Sequence, residues 1–250
     1  MFNTENLAQA KEQFKSNRFA VIDNVLEESY INALYASVPN MDYGAWGCIG
    51  NSHTKYPSSF LTSDKFQATL QTHIDEGRGK FSYWHYAYWL LEDHHKIHKS
   101  PRVTEFNRVV TEDYSILKPK VTFHDLVSEV TGFENMFTNQ PTYSYYDHTA
   151  WLNAHHDPSR WCAYIFYFNE TWLAQWGGQL CILDTDEQTI IDSIEPFGNR
   201  LTIMDVSETS GNRINKHFIS PVSITADHPR YSLAGWFYQK ETDGPSPIKG

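Results

Sequence analysis

The sequence predicts an α+β protein: helices in its N-terminal part, then a β-sandwich or barrel from about Pro141 onward. Two observations carry this. Apolar residues recur at helical spacing in several segments before residue 140. After it, short β-rich runs follow one another between turn signals. A third concerns the core. With 250 residues, 40% hydrophobic and 15% aromatic, the chain buries enough apolar surface to fold without disulfides. The length suits one large domain or two small ones.

Residues 4–17 predict an amphipathic helix, with Leu7, Ala10 and Phe14 on one face. Phe19-Ala20-Val21-Ile22 is a short apolar run and predicts a strand. Asp23-Asn24 offers capping chemistry before a second helix from about Glu27 to Ser37. Residues 38–62 carry Pro, Gly, Asn and Ser and predict irregular structure; residues 63–76 predict a helix. From Phe81 to Leu91 aromatic residues crowd together, which favours a strand. Residues 121–131 predict a helix stopped by Gly132. Strands then follow over Thr142–Tyr146, Trp161–Phe168, Gln179–Leu183, Thr189–Ile194, Leu201–Met204, His217–Val222 and Tyr231–Tyr238. That spacing suits a sandwich or barrel. The last ten residues predict a frayed tail.

Charge and cysteine content exclude several classes. Thirty acidic against twenty basic residues give a formal charge of −10, which is poorly suited to tracking a phosphate backbone. Cys48, Cys162 and Cys181 form no C-x-x-C pair and no disulfide framework; sparse free cysteines suit a reducing compartment. The polar N-terminus does not resemble a secretory signal, and no apolar run reaches the ~18 residues of a membrane span. A soluble, cytoplasmic protein without nucleic-acid or membrane partners is expected.

Twelve histidines invite a search for metal ligands. On a strand, residues i and i+2 share a face, so a His-x-Asp pair there reaches one ion. His73-Ile74-Asp75 falls in a helical pattern, where i and i+2 point about 200° apart. His155-His156-Asp157 stands in a β-rich context instead. His156, on the opposite face, is not expected to be a ligand. His217 heads a later β-rich run and completes a two-histidine, one-carboxylate set, which leaves positions open on Fe(II). Arg230 follows, and a guanidinium suits bidentate clamping of a carboxylate. Gly177-Gly178 suits a turn or close backbone approach. His94 and His98 are i,i+4 without an HExxH pattern and predict a solvated helix face.

These residues reach a known family. YYDHTAWLNAHHDPSRWCAYIFYFNETWLAQWGGQLCIL, with GNRLTIMD, HFISPV and RYSLAGWFY, resembles the Fe(II)/2-oxoglutarate oxygenases of the prolyl 4-hydroxylase type. The likeness runs from about Pro141 to Tyr238. FAVIDNVLEESYINALYASV resembles the strand–helix opening of these proteins, and LVSEVTGFE the helix before their barrel. The resemblance implies a double-stranded β-helix, or jelly roll, with N-terminal helices packed on it. Residues 1–140 would be a support region carrying a substrate lid. Residues 141–240 would be the catalytic core of the same integrated domain, and 241–250 a tail.

The resemblance also implies roles. His155, Asp157 and His217 match the iron ligands. Arg230 matches the clamp for the distal carboxylate of 2-oxoglutarate, with Ser232 assisting and Tyr167 bonding the same carboxylate. Tyr145 matches a tyrosine lining the site, and Arg160 and Trp236 match positions near the substrate. The cofactors implied are Fe(II), 2-oxoglutarate and O2. The Tyr-Pro-Gly common near the metal strand is Tyr145-Tyr146-Asp147 here, which alters the wall on the substrate side. Asp157 speaks against halogenation, since related halogenases carry Gly or Ala there. The implied reaction is hydroxylation of an amino-acid, peptidyl or small natural-product substrate; desaturation, ring formation and epimerisation share the same ligands. A non-catalytic jelly-roll binding module is the alternative from another class, signalled by a missing ligand or clamp; none of the four is missing. A zinc hydrolase would use similar ligands but leaves Arg230 without a role.

Overall fold

The computed structural model describes residues 2–41, 45–49, 53–57, 65–76, 82–88, 100–111, 121–138, 141–148, 150–157, 159–207 and 215–239. His94, His98, residue 81, residues 89–91 and the tail lie outside them.

The chain opens with α1 (Leu7–Asn17), β1 (Phe19–Asp23) and α2 (Glu28–Ser37). Arg18 takes a left-handed conformation, φ 64°, and its N–H closes α1 on the Phe14 carbonyl at 2.8 Å. That turn sends the chain back into β1. Next come β2 (Ala45–Ile49), β3 (His53–Pro57), α3 (Phe66–Glu76), β4 (Ser82–Tyr88), α4 (Pro101–Thr111) and α5 (Phe123–Thr131). α5 carries a complete capping box between Thr122 and Asp125 and ends at Gly132, φ 73°. The remaining strands are β5 (Met136–Thr138), β6 (Thr142–Tyr146), β7 (Leu152–His155), β8 (Cys162–Tyr167), β9 (Leu180–Leu183), β10 (Ile190–Ile194), β11 (Arg200–Asp205), β12 (His217–Ile219) and β13 (Arg230–Gln239).

Among the described residues these strands form two antiparallel sheets. The larger runs β1-β11-β8-β13-β6-β4-β2-β3, with β5 also on β13; the smaller runs β10-β9-β12-β7. Strands of the N-terminal part, β1 and β4, are therefore built into the same sheet as β6, β8, β11 and β13. Strand alternation divides the large sheet into two faces. One face carries Tyr143, Phe166, Leu201 and Leu233 and packs under α1, α2, α4 and α5. The other carries Tyr146, Ile165, Tyr167 and Met204 and meets Leu180, Ile182 and Ile219 of the small sheet. The space between the sheets is the barrel interior.

Two expectations change. Residues 38–62 are not irregular throughout: Val38–Asn40 form a 3-10 turn, and β2 and β3 form a hairpin. β4 supplies the ladder partner for β2, so tertiary pairing overrides weak local propensity. The run expected over His217–Val222 ends as a ladder at Ile219, leaving Val222 in an isolated bridge to Gly177. Asp75 is exposed on α3, where it accepts a hydrogen bond from Gln71 Nε2 at 2.9 Å.

Candidate active site

The small sheet brings two histidines face to face. β12 and β7 pair antiparallel with His217 directly opposite His155, and their ring centroids are 4.4 Å apart. β7 ends at His155. The chain then leaves His156 exposed and turns Asp157 inward, where it is 7% exposed. One donor atom from each of His155, Asp157 and His217 lies within 4.8 Å of the others, close enough to share one ion.

Both imidazoles are held the same way. His155 Nδ1 is 2.8 Å from the Asn153 carbonyl, and His217 Nδ1 is 2.9 Å from the Asn215 carbonyl. A carbonyl only accepts, so each Nδ1 donates its proton there, and Nε2 is the ring nitrogen left for another partner. His217 Nε2 is 3.8 Å from Asp157 Oδ2. Burial, followed by the neighbouring His155, pushes the His217 pKa down to about 4, against the opposing pull of Asp157. His217 is therefore a neutral imidazole at neutral pH.

Arg230 begins β13 and is fully buried. Its Nε donates to the Gly178 carbonyl at 2.8 Å and its Nη1 to Ser232 Oγ at 3.0 Å. Gly178 has φ 68°, and a Cβ there would press on Arg230 Cδ at 3.0 Å and Trp172 at 3.1 Å. The glycine lets the backbone approach the guanidinium. Arg230 Nη2 has no hydrogen-bond partner and, among the described residues, no carboxylate pairs with it. The Tyr146 and Tyr167 rings lie 4.9 and 5.0 Å from the guanidinium carbon. The Tyr167 hydroxyl faces Thr202 and Arg230, yet neither it nor Thr202 Oγ1 meets a partner with hydrogen-bond geometry. Burial raises the Tyr167 pKa, with Arg230 opposing, so the phenol stays protonated.

Register explains the grouping. Arg230 opposes Tyr146, and Ser232 opposes both Ser144 and Tyr167. All lie on the interior face. Tyr145 opposes Tyr231 on the other face, its ring 6.0 Å from that of Tyr231, and packs toward the helices. The structure thus does not bring Tyr145 to the site; strand alternation puts Tyr146 there instead. Arg160 and Trp236 do come together, with the guanidinium 4.7 Å from the indole and 5.9 Å from the Tyr238 ring. Thr202, on β11 diagonal to Tyr167, was not singled out by the sequence. A lone threonine among apolar strand residues was the only available signal.

Two imidazoles and one carboxylate form a donor set that suits Fe(II) with positions left open. Three buried polar groups without partners, Arg230 Nη2, the Tyr167 hydroxyl and Thr202 Oγ1, suit a carboxylate. Comparison with known proteins agrees. Residues 141–238 match the family model of the 2OG-Fe(II) oxygenase superfamily. The match covers the strand-rich part of the chain, which is similar to that superfamily. Its members use Fe(II), 2-oxoglutarate and O2.

Prolyl 3-hydroxylase OGFOD1 of Mus musculus is 28% identical over 157 residues, covering 60% of this chain. The chain spans 25% of that relative's length. A Pseudomonas putida prolyl-4-hydroxylase has a similar fold, with TM-score 0.57, 15% identity, and 94% of this chain and 100% of that one covered. So does a Trichoplax adhaerens prolyl hydroxylase in complex with a hypoxia inducible factor peptide fragment, with TM-score 0.57, 19% identity, and 95% and 94% covered. The fold is the double-stranded β-helix of these oxygenases. No helix among the described residues is long and apolar enough to cross a membrane.

Proposed function

We propose that this protein is an Fe(II)- and 2-oxoglutarate-dependent dioxygenase that hydroxylates an unactivated C–H bond of an amino-acid, peptidyl or small natural-product substrate. Arg230 carries the proposal. It is a fully buried guanidinium with an unsatisfied nitrogen and no described acidic partner, in the same barrel as a His-Asp-His cluster. Such a charge is costly unless a bound anion meets it.

His155, Asp157 and His217 hold the iron. Arg230, Ser232, Tyr167 and Thr202 form the pocket for the distal carboxylate of 2-oxoglutarate. When bound, Fe(II), 2-oxoglutarate and O2 supply the oxidation, with succinate and CO2 as products. The residues of this chain do the rest. Asp157 contributes the single negative charge of the ligand set, which leaves the site cationic and attractive to a keto acid. The Nδ1–H bonds hold both imidazoles in the ligating tautomer. Ser232 and the Gly178 carbonyl occupy two guanidinium nitrogens and aim the third. The protonated Tyr167 hydroxyl donates to the same carboxylate. Trp172, beside Gly178, packs edge to face on Trp176.

Arg160 and Trp236 border the substrate. Residues 1–140 support the core. A prolyl residue in a peptide is the first substrate to test, because the similar proteins carry prolyl hydroxylase names. The experiment is anaerobic loading with Fe(II), then succinate formation from 2-oxoglutarate in air, with and without proline-containing peptides. Succinate that is lost in His155→Ala supports the oxygenase. Binding of 2-oxoglutarate without turnover under any substrate would instead make the protein a binding module.

A further inference from the structure

We infer that Asn215 is a positioning residue for the metal ligand His217, and that it ties this ligand to the corner where α1 meets β1. The inference rests on the metal-site assignment above. Asn215 is fully buried, although it belongs to neither sheet. Its own carbonyl accepts the His217 Nδ1 proton at 2.9 Å. Its side-chain Nδ2 donates to the Arg18 carbonyl at 2.7 Å and to the Asp205 carbonyl at 3.2 Å.

Those two acceptors are fixed by a compact network. Arg18 stands in the left-handed turn between α1 and β1, and its carbonyl also accepts the Asp205 N–H at 2.8 Å. Its guanidinium pairs with Asp205 Oδ2. The other Asp205 oxygen accepts from the Ser207 N–H at 2.8 Å and the Ser207 hydroxyl at 2.6 Å. A continuous path therefore runs from the Arg18–Asp205 corner, through the Asn215 amide and carbonyl, to His217 Nδ1, and so to the lone pair on Nε2. Without the amide anchor, the Asn215 carbonyl is free to turn away, and His217 loses both its tautomer lock and its ring orientation. The two imidazoles share the local pattern Asn-x-His, Asn153 to His155 and Asn215 to His217. The side chain of Asn215 reaches the N-terminal corner, whereas Asn153 Oδ1 accepts from Trp151 Nε1 at 3.2 Å.

Groups that orient metal-bound histidines change metal affinity by roughly 10- to 100-fold when removed. The test compares Asn215→Ala and Asn215→Ser with Asn199→Ala, using Co(II) as probe. Asn199 is a matched control: it is also buried and also clamps backbone, bonding Leu26 N and O at 2.8 Å each, but it touches no histidine. Metal-free protein is examined by 15N NMR of the histidine side chains, and Co(II) affinity by titration of its absorption bands.

The expected result has three parts. Wild type shows His217 protonated only at Nδ1. Both Asn215 variants show mixed tautomers and a 10- to 100-fold weaker Co(II) affinity with altered bands. Asn199→Ala loses thermal stability but keeps wild-type tautomer and affinity. Wild-type tautomer and affinity in the Asn215 variants would overturn the inference, as would equal losses in Asn199→Ala. Failure of wild type to bind Co(II) at all would instead overturn the metal-site assignment, and this inference with it.

Discussion

Arg230 brings a positive charge into the barrel interior, where the protein satisfies only part of its donor set. Removing it should act on 2-oxoglutarate far more than on the metal. Loss of one partner from a buried charged pair costs about 2–4 kcal/mol, a roughly 30- to 1,000-fold change. Arg230→Ala is expected to raise the KM for 2-oxoglutarate by that factor while Co(II) binding stays within about threefold. An unchanged KM would remove the clamp role. Thr202 makes a finer test. Its hydroxyl is buried and unpartnered, so Thr202→Val removes a desolvated polar group of nearly the same shape. We expect a thermal midpoint equal to or above wild type, together with a KM for 2-oxoglutarate raised about 3- to 10-fold. A lower midpoint with unchanged KM would contradict the placement of Thr202 in the pocket.

At the scale of elements, α5 shows how local signals and tertiary packing combine. Thr122 Oγ1 accepts from the Asp125 N–H and the Asp125 carboxylate accepts from the Thr122 N–H, both at 3.0 Å. The helix then buries Phe123, Leu126, Val127 and Val130 against the outer face of the large sheet. Thr122→Ala should cost about 0.5–2 kcal/mol. For a chain of this size that is a drop of roughly 1–8 °C in the thermal midpoint. Because α5 lies across the sheet from the interior, Co(II) affinity should not change. Weakened metal binding would mean that the helix layer and the site are coupled. The prediction of α5 worked because the helical pattern and the glycine stop fall within one segment, and the capping box at its start agrees with them. The prediction for residues 38–62 did not, because β2, which pairs with β3, takes its other partner from β4, which is distant in sequence.

For the whole molecule, His217 links stability to pH. Its pKa is about 4 in the folded protein and about 6.5 when unfolded, so the unfolded state binds more protons between those values. Stability of metal-free protein is then complete above pH 6.5 and declines as pH falls toward 4. Thermal unfolding across this range should show the decline, and His217→Gln should flatten it; an unchanged slope would exclude His217 as its source. Metal should oppose unfolding at neutral pH. Mn(II) at about 100 times its Kd should add about 2.7 kcal/mol, or roughly 5–11 °C in the midpoint. His155→Ala should abolish that gain, and a persistent gain would place the ion elsewhere.

Features that depend on neighbours in the chain were legible in the sequence: α1, α2 and α5, most strands after Pro141, and the spacing that singled out His155, Asp157, His217 and Arg230. Resemblance added their expected roles. Which side chains share the interior followed from long-range strand pairing. Tyr145 and Tyr146 are adjacent in sequence, yet the pairing of β6 with β13 turns the first to the helices and the second to Arg230. Thr202 enters the pocket because β11 pairs with β8, and Asn215 reaches His217 through a corner made by Arg18 and Asp205. The physical reason is that a side chain's face follows from strand register, and register is set by long-range pairing rather than by local propensity.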